Sequence, residues 1–237
     1  MDLPRYIRKF PRLEAGALAI LIVLAGGIWV FVSLADLVSA GATERFDQAV
    51  LLAMRSTSDP SNPVGPAWIE EAVRDFTALG SLGVLLLITV LTVLYLVLRG
   101  DQRAAAFVIV AILGAWSLSS LLKMGFDRPR PDLVPHITRV SSASFPSGHA
   151  MTAAATYLTL GALLARLERR FRVKLFLVGS AMLITLIVGV SRVYLGVHWP
   201  TDVLAGWAAG AAWASLCWLA AYFLQWRGQL EPEGETT

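Results

Sequence analysis

The chain has 237 residues, of which 56% are hydrophobic and only 16% charged, and its mean hydropathy is +0.63. A water-soluble domain carries about 25% charged residues, so this composition excludes an ordinary soluble domain and points to a membrane protein. The net charge of +3 is too small to suggest a nucleic-acid partner, and the lone cysteine, Cys217, excludes an intrachain disulfide and a cysteine metal cluster.

Apolar runs bounded by charged or turn residues predict an all-α membrane protein, a bundle of six transmembrane helices. The runs are Ala15–Ala35, Gly80–Leu98, Ala104–Leu122, Gly148–Ala165, Leu175–Val190 and Val203–Phe223. A span needs about 20 apolar residues, so the fourth and fifth runs are short and their helices are expected to extend into the flanking loops. The first run is long enough to span and lacks the usual small-residue cleavage motif after it, which predicts a retained helix. In the outer loop 39–75, Phe46, Val50, Leu51 and Met54 recur at helical spacing, as do Trp68, Ile69, Ala72, Val73 and Phe76. The segment SDPSNPVGP breaks the pattern between them, so two short amphipathic helices at the outer interface are expected. Cys217 and most of the tryptophans read as packing or interfacial-belt residues. The closing EPEGETT predicts a disordered tail over 228–237 on a single membrane domain, 1–237.

Orientation follows from the basic residues. With the N-terminus inside, the inner segments hold twelve of the 20 Lys and Arg residues and the outer segments eight. The positive-inside rule then puts both termini in the cytoplasm of an inner-membrane protein.

The chemistry-bearing residues collect on the other, outer side. Lys123 abuts the end of the third span, Arg130 is held between two prolines, and Arg192 comes straight off the fifth span. Alone, each could be an interfacial anchor whose charge snorkels to the headgroups. Together, three cations on one membrane face suit a dianionic group: arginine offers a planar fork to phosphate and lysine a point charge. Ser147-Gly148 at a helix start adds free N–H groups, a hydroxyl that can cap the helix or reach an oxygen, and a residue without a side chain to block close approach. His198 and Asp202 lie four apart around Pro200, near a helix start. There the carboxylate can reach one imidazole nitrogen and leave the other as nucleophile or base. His149 then supplies a second imidazole for proton transfer. His136 has no motif around it and reads as a loop residue, Arg128 is a weaker candidate for a lipid headgroup, and Trp199 for a wall of the site.

The spacing of these residues resembles that of the type-2 phosphatidic acid phosphatase family, integral-membrane lipid phosphate phosphatases that share a core with vanadium haloperoxidases and bacterial acid phosphatases. The family pattern is Lys, six residues, Arg-Pro; then Pro-Ser-Gly-His; then Ser-Arg, five residues, His, three residues, Asp. Lys123, Arg130, Pro131, Pro146, Ser147, Gly148, His149, Ser191, Arg192, His198 and Asp202 match every fixed position. DFTALGS at 75–81 also looks like the family's entry into its second span, and the resemblance covers about residues 75–220. It implies that His198 attacks phosphorus to give a phosphohistidine, that Asp202 orients His198, and that His149 protonates the leaving oxygen and then activates water. It further implies that Lys123, Arg130, Arg192, Ser147 and the Gly148 N–H hold the phosphoryl oxygens, with no metal and no cofactor. The expected function is therefore hydrolysis of a lipid phosphomonoester or pyrophosphate in the bilayer, with undecaprenyl pyrophosphate, phosphatidylglycerophosphate and phosphatidic acid as candidate substrates. Transfer of the same phosphoryl group to another acceptor, halide oxidation on bound vanadate, and a non-catalytic membrane role are the alternatives.

Overall fold

The structure, a computed structural model, describes residues 10–134 and 143–228. His136 and the tail expected to be disordered lie outside the described residues, apart from Gly228, which closes the last helix. The described residues form eight helices and no strand: α1 (Phe10–Ser39), α2 (Glu44–Ala53), α3 (Ala67–Ala78), α4 (Leu82–Leu98), α5 (Gln102–Met124), α6 (Gly148–Leu167), α7 (Phe171–Tyr194) and α8 (Pro200–Gly228). Five of them, α1, α5, α6, α7 and α8, are each long and apolar enough to cross a membrane. α3 and α4 pass the same test together, with a 48° bend between them, and make a sixth candidate crossing if the bent pair is one span. The two short helices expected in the first outer loop are α2 and α3.

The helices of the fourth and fifth apolar runs extend beyond them into the flanking loops, as the shortness of those runs predicts. α6 runs to Leu167 and α7 starts at Phe171, which leaves a turn of Glu168, Arg169 and Arg170. The Glu168 carboxylate caps that turn, accepting the backbone N–H of Arg169 at 2.6 Å and of Arg170 at 2.8 Å. Helical backbone continues past the apolar window because long basic side chains such as Arg172 and Lys174 can carry their charge to water from a helix end. At its other end α7 continues through Arg192 to Tyr194.

α6 is the central helix, packed against α5, α7 and α8, while α1 lies along α8 and α3 along α7. Small residues make the centre dense: Ala150, Ala153, Ala154 and Ala155 of α6 are all buried. Opposite them, a Cβ on Gly206 of α8 would fall 2.7 Å from the Ser147 carbonyl oxygen and 3.0 Å from Ala150 Cβ. Close backbone approach of this kind is how membrane helices gain packing energy when lipid is as apolar as leucine. Half-buried indoles tie α8 to its neighbours, Trp207 donating to the Thr185 carbonyl at 3.1 Å and Trp213 to the Ala111 carbonyl at 2.7 Å.

The turn between α7 and α8 aims the site. The Val197 N–H bonds to the Arg192 carbonyl at 3.2 Å and the Gly196 N–H to the Val193 carbonyl at 2.9 Å, with Gly196 at φ +73°. This is a Schellman ending, which needs a residue at ease in the left-handed region. It turns the chain sharply, so that Arg192 and His198 stay close in space.

The packing of α6 on α8 yields a direct test. Gly206→Ala must push the α6 backbone away and is expected to destabilise the protein by about 1–3 kcal/mol. Gly83→Ala, with no heavy atom within 4 Å of its added Cβ, is expected to leave stability unchanged. Thermal unfolding of the two variants in detergent reads the difference.

Candidate active site

The residues singled out from the sequence arrive from separate elements at one end of the bundle. Lys123 lies in the last turn of α5, Arg130 in the segment that follows, and Ser147, Gly148 and His149 at the start of α6. Arg192 is in the last turn of α7, His198 in the turn after it, and Asp202 in the first turn of α8. His149 lies within electrostatic range of Arg192, His198, Lys123 and Arg130, so both imidazoles and the three expected cations share one site.

The pairing of His198 with Asp202 comes from the geometry of a helix start. Pro200 begins α8, which makes Trp199 the cap and Asp202 the third helical residue. An acidic side chain at that position reaches back to the cap's backbone N–H, and Asp202 Oδ2 accepts the Trp199 N–H at 2.9 Å. The same oxygen lies 3.4 Å from His198 Nδ1, a long contact of the kind that tightens when substrate binds. On the other side of the ring, Arg130 Nη1 lies 3.2 Å from His198 Nε2 and donates to the Val197 carbonyl at 2.7 Å. A guanidinium can only donate, so Nε2 carries the lone pair and Nδ1 the proton that faces Asp202. Burial pushes the His198 pKa down to about 4, against the raising influence of Asp202, and keeps the ring neutral near pH 7.

Around this imidazole lies a set of donors. Ser147 is fully buried, and its side chain makes no cap bond to α6. Its Oγ has no hydrogen-bond partner among the described residues, so of the two roles expected for the hydroxyl, capping is not the one it takes. The Met151 N–H is the first to bond back to the Ser147 carbonyl, which leaves the N–H groups ahead of it at the helix mouth. At Gly148 an added Cβ would meet Lys123 Cε at 3.4 Å and Ser119 Oγ at 3.5 Å, so the absence of a side chain keeps open the space beside the ammonium. Lys123 donates to the Ala143 carbonyl at 3.0 Å. Arg192, only 4% exposed, donates from Nη1 to Thr77 Oγ1 at 3.1 Å, while its Nε has no partner among the described residues. Thr77 belongs to the DFTALGS segment at the end of α3, so the bend into α4 places a hydroxyl on the buried arginine. Burial lowers the Arg130 pKa also, without removing its charge.

Three further residues, Ser144, Asp47 and Thr201, escaped the sequence reading, and they join Arg128 around Asp202. Ser144 donates to Asp202 Oδ2 at 2.5 Å. Arg128 donates to Asp202 Oδ1 at 2.6 Å and to Asp47 Oδ2 at 2.6 Å, with the Trp199 ring 5.7 Å away, so it meets two carboxylates. Asp47, fully buried, also accepts the backbone N–H of Thr201 at 2.9 Å and its hydroxyl at 2.7 Å. The signal for Asp47 is in the sequence: it shares the apolar stripe of α2 with Val50, Leu51 and Met54, where an acid needs a buried partner.

The state of His198 is measurable. In imidazole nitrogen NMR of the detergent-solubilised protein, the His198 signal, identified by its loss in His198→Asn, is expected to stay that of a neutral ring between about pH 8 and about pH 5. A His198 midpoint near the ordinary histidine value would contradict the buried geometry.

A family model described as the PAP2 superfamily matches residues 103–226, more than half of the chain. The chain is 30% identical over 184 residues to phosphatidylglycerophosphatase B of Bacillus subtilis (strain 168), spanning 76% of this chain and 85% of that protein. It is also 30% identical over 187 residues to a lipid A 1-phosphatase of Rhizobium etli, spanning 68% and 76%. A crystal structure of a transmembrane PAP2-type phosphatidylglycerolphosphate phosphatase from Bacillus subtilis superposes with a TM-score of 0.74 at 26% identity, covering 90% of this chain and 99% of that one. With its apolar helices and these matches, the chain is a multi-pass membrane protein that belongs to the PAP2 superfamily.

Proposed function

We propose that the protein is a lipid phosphate phosphatase that works through His198. The observation that carries this reading is the state of that ring: buried, neutral, its Nδ1 turned to Asp202 and its Nε2 lone pair set among donors. The reading extends to a phosphoryl group bound by Lys123, Arg130, Arg192, the unpartnered Ser147 hydroxyl and the Gly148 N–H at the start of α6. His198 Nε2 forms a bond to phosphorus as the bond to the lipid oxygen breaks. The Nδ1 proton stays against Asp202, which offsets the positive charge that develops on the ring. His149, protonated in the complex with phosphate, gives its proton to the leaving oxygen. It then takes a proton from the water that attacks the phosphohistidine, and inorganic phosphate is released. The surrounding cations and helix N-terminus stabilise the charge that spreads over the phosphoryl oxygens in both steps.

The substrate class follows from where the site lies. It sits at one end of a bundle whose helices are long and apolar enough to cross a bilayer, so a lipid can present its phosphate there while its chains remain in the hydrocarbon. Phosphatidylglycerophosphate, phosphatidic acid and undecaprenyl pyrophosphate are the substrates we propose to test. The excess of basic residues in the inner segments supports cytoplasmic termini and a site on the outer face of an inner membrane.

Purified protein is expected to release phosphate from at least one of these three lipids with no added acceptor. His198→Ala should lower the rate by at least about 10³-fold and His149→Ala by about 10²–10⁴-fold. Wild-type turnover by His198→Ala would overturn the mechanism, and phosphate transfer only in the presence of a second acceptor would favour the transferase reading.

Orientation is tested separately. With Cys217 replaced by Ala, a cysteine substituted for Arg169 in the α6–α7 turn should resist a membrane-impermeant thiol reagent in intact cells and react after permeabilisation. Labelling in intact cells would invert the topology.

A further inference from the structure

Among the described residues, an unbroken chain of hydrogen bonds leads from the Asp202 carboxylate through Arg128 to Asp47 of α2. Arg128 Nη1 donates to Asp202 Oδ1 at 2.6 Å and to Thr201 Oγ1 at 2.8 Å; Nη2 donates to Asp47 Oδ2 at 2.6 Å and Thr43 Oγ1 at 3.3 Å. The hydrogens on both terminal nitrogens are thus committed to protein oxygens. The side chains are 12% exposed for Arg128, 1% for Asp47 and 0% for Asp202, so these are buried ion pairs in which removing one partner leaves a charge uncompensated. Asp47 is in turn fixed to the start of α8 through the Thr201 backbone and hydroxyl. The outer-loop helix α2 therefore braces the first turn of α8, where Asp202 stands.

We infer that Arg128, held by Asp47 of α2, is a positioning residue that fixes the Asp202 carboxylate against His198 and acts on the reaction only through that carboxylate. The inference rests on the phosphohistidine reading above. A fork is required: it meets two carboxylates at once from fixed directions, whereas an ammonium is a single point charge. Arg128 has one competing role. Arg128, Asp47 and Trp199 also line a cavity of about 560 Å³ whose walls carry Glu44, Asp127 and Asp132, and an arginine there could instead touch a lipid headgroup. The two roles differ in what they change. A positioning residue alters the rate of the chemical step, and a headgroup contact alters binding and depends on which lipid is offered.

The test uses single-turnover phosphate release with full-length enzyme in excess over lipid, on the two best-hydrolysed members of the three-lipid panel. At saturating enzyme the rate constant does not depend on the fraction of molecules that folded. Arg128→Ala is expected to lower that rate constant by about 10²-fold with both lipids, with the half-saturating enzyme concentration unchanged once corrected for the folded fraction. Arg128→Lys should recover only part of the loss, and Asp47→Asn should lower the rate in the same sense. The double variant Arg128→Ala/Asp47→Asn should lose less than the two single losses combined, because part of the Asp47 effect runs through Arg128 and only its bonds to Thr201 are separate. A weakened half-saturation with an unchanged rate constant, or a loss that differs between the two lipids, would make Arg128 a headgroup contact and overturn the inference. An unchanged rate constant with less active protein would leave it a merely structural residue, and full rescue by Arg128→Lys or additive losses would overturn the fork. If the wild type hydrolyses none of the three lipids, the phosphatase reading fails and takes this inference with it; an active wild type matched by Arg128→Ala sinks the inference alone.

Discussion

Asp202 stands at the third position of α8, and its carboxylate and carbonyl meet almost every element that contributes to the site. Oδ2 reaches back to the Trp199 N–H, accepts the Ser144 hydroxyl and faces His198, while Oδ1 receives Arg128. Its backbone carbonyl accepts the Ser147 N–H at 2.9 Å, which docks the start of α6 onto the start of α8. A helix-start interaction common to many proteins thus becomes the point at which one imidazole is oriented and the mouth of α6 is set beside it. A fully buried carboxylate is tolerated there because each oxygen is answered by donors and one of them is a cation.

The rest of the bundle serves that arrangement. Glycine and alanine between α6 and α8 bring the two helix starts together, which bulkier residues would hold apart. The bend between α3 and α4 supplies Thr77 to Arg192, a cation so deeply buried that only a strong partner offsets its desolvation. One Arg192 nitrogen and the Ser147 hydroxyl remain without partners among the described residues. Orphaned buried donors are costly in a finished core and reasonable where an anion is to arrive. The proposed phosphoryl group would be that anion.

Much of this was legible in the sequence. The spacing of Lys123, Arg130, Ser147, His149, Arg192, His198 and Asp202 identifies three segments, and an alternating bundle returns them to the same end. Apolar periodicity finds α2 and α3 because their stripes are regular and the breaker between them is strong. What the sequence hides is pairing across distance. Arg128 looks like a second basic residue in a motif, and only the fold shows that two carboxylates from α2 and α8 close on it. Ser144 and Thr201 look like ordinary turn and helix-start residues. Asp47 is the instructive case, since an acid on the apolar stripe of an amphipathic helix announces a partner without naming it. The extension of α6 to 167 and of α7 back to 171 was expected, but not its extent, because charge marks where a membrane surface lies, not where helical hydrogen bonding stops.

The central claim is that phosphorus is transferred to His198 before it reaches water. Its most direct measurement is rapid quenching of the enzyme during turnover of a lipid labelled in the reacting phosphate, followed by peptide mapping under basic conditions that preserve phosphohistidine. The account predicts transient label on the peptide containing His198, accumulating further when His149 is replaced by Ala and hydrolysis of the intermediate slows. Label on another residue, or phosphate release with no labelled protein at any time in either enzyme, would contradict it.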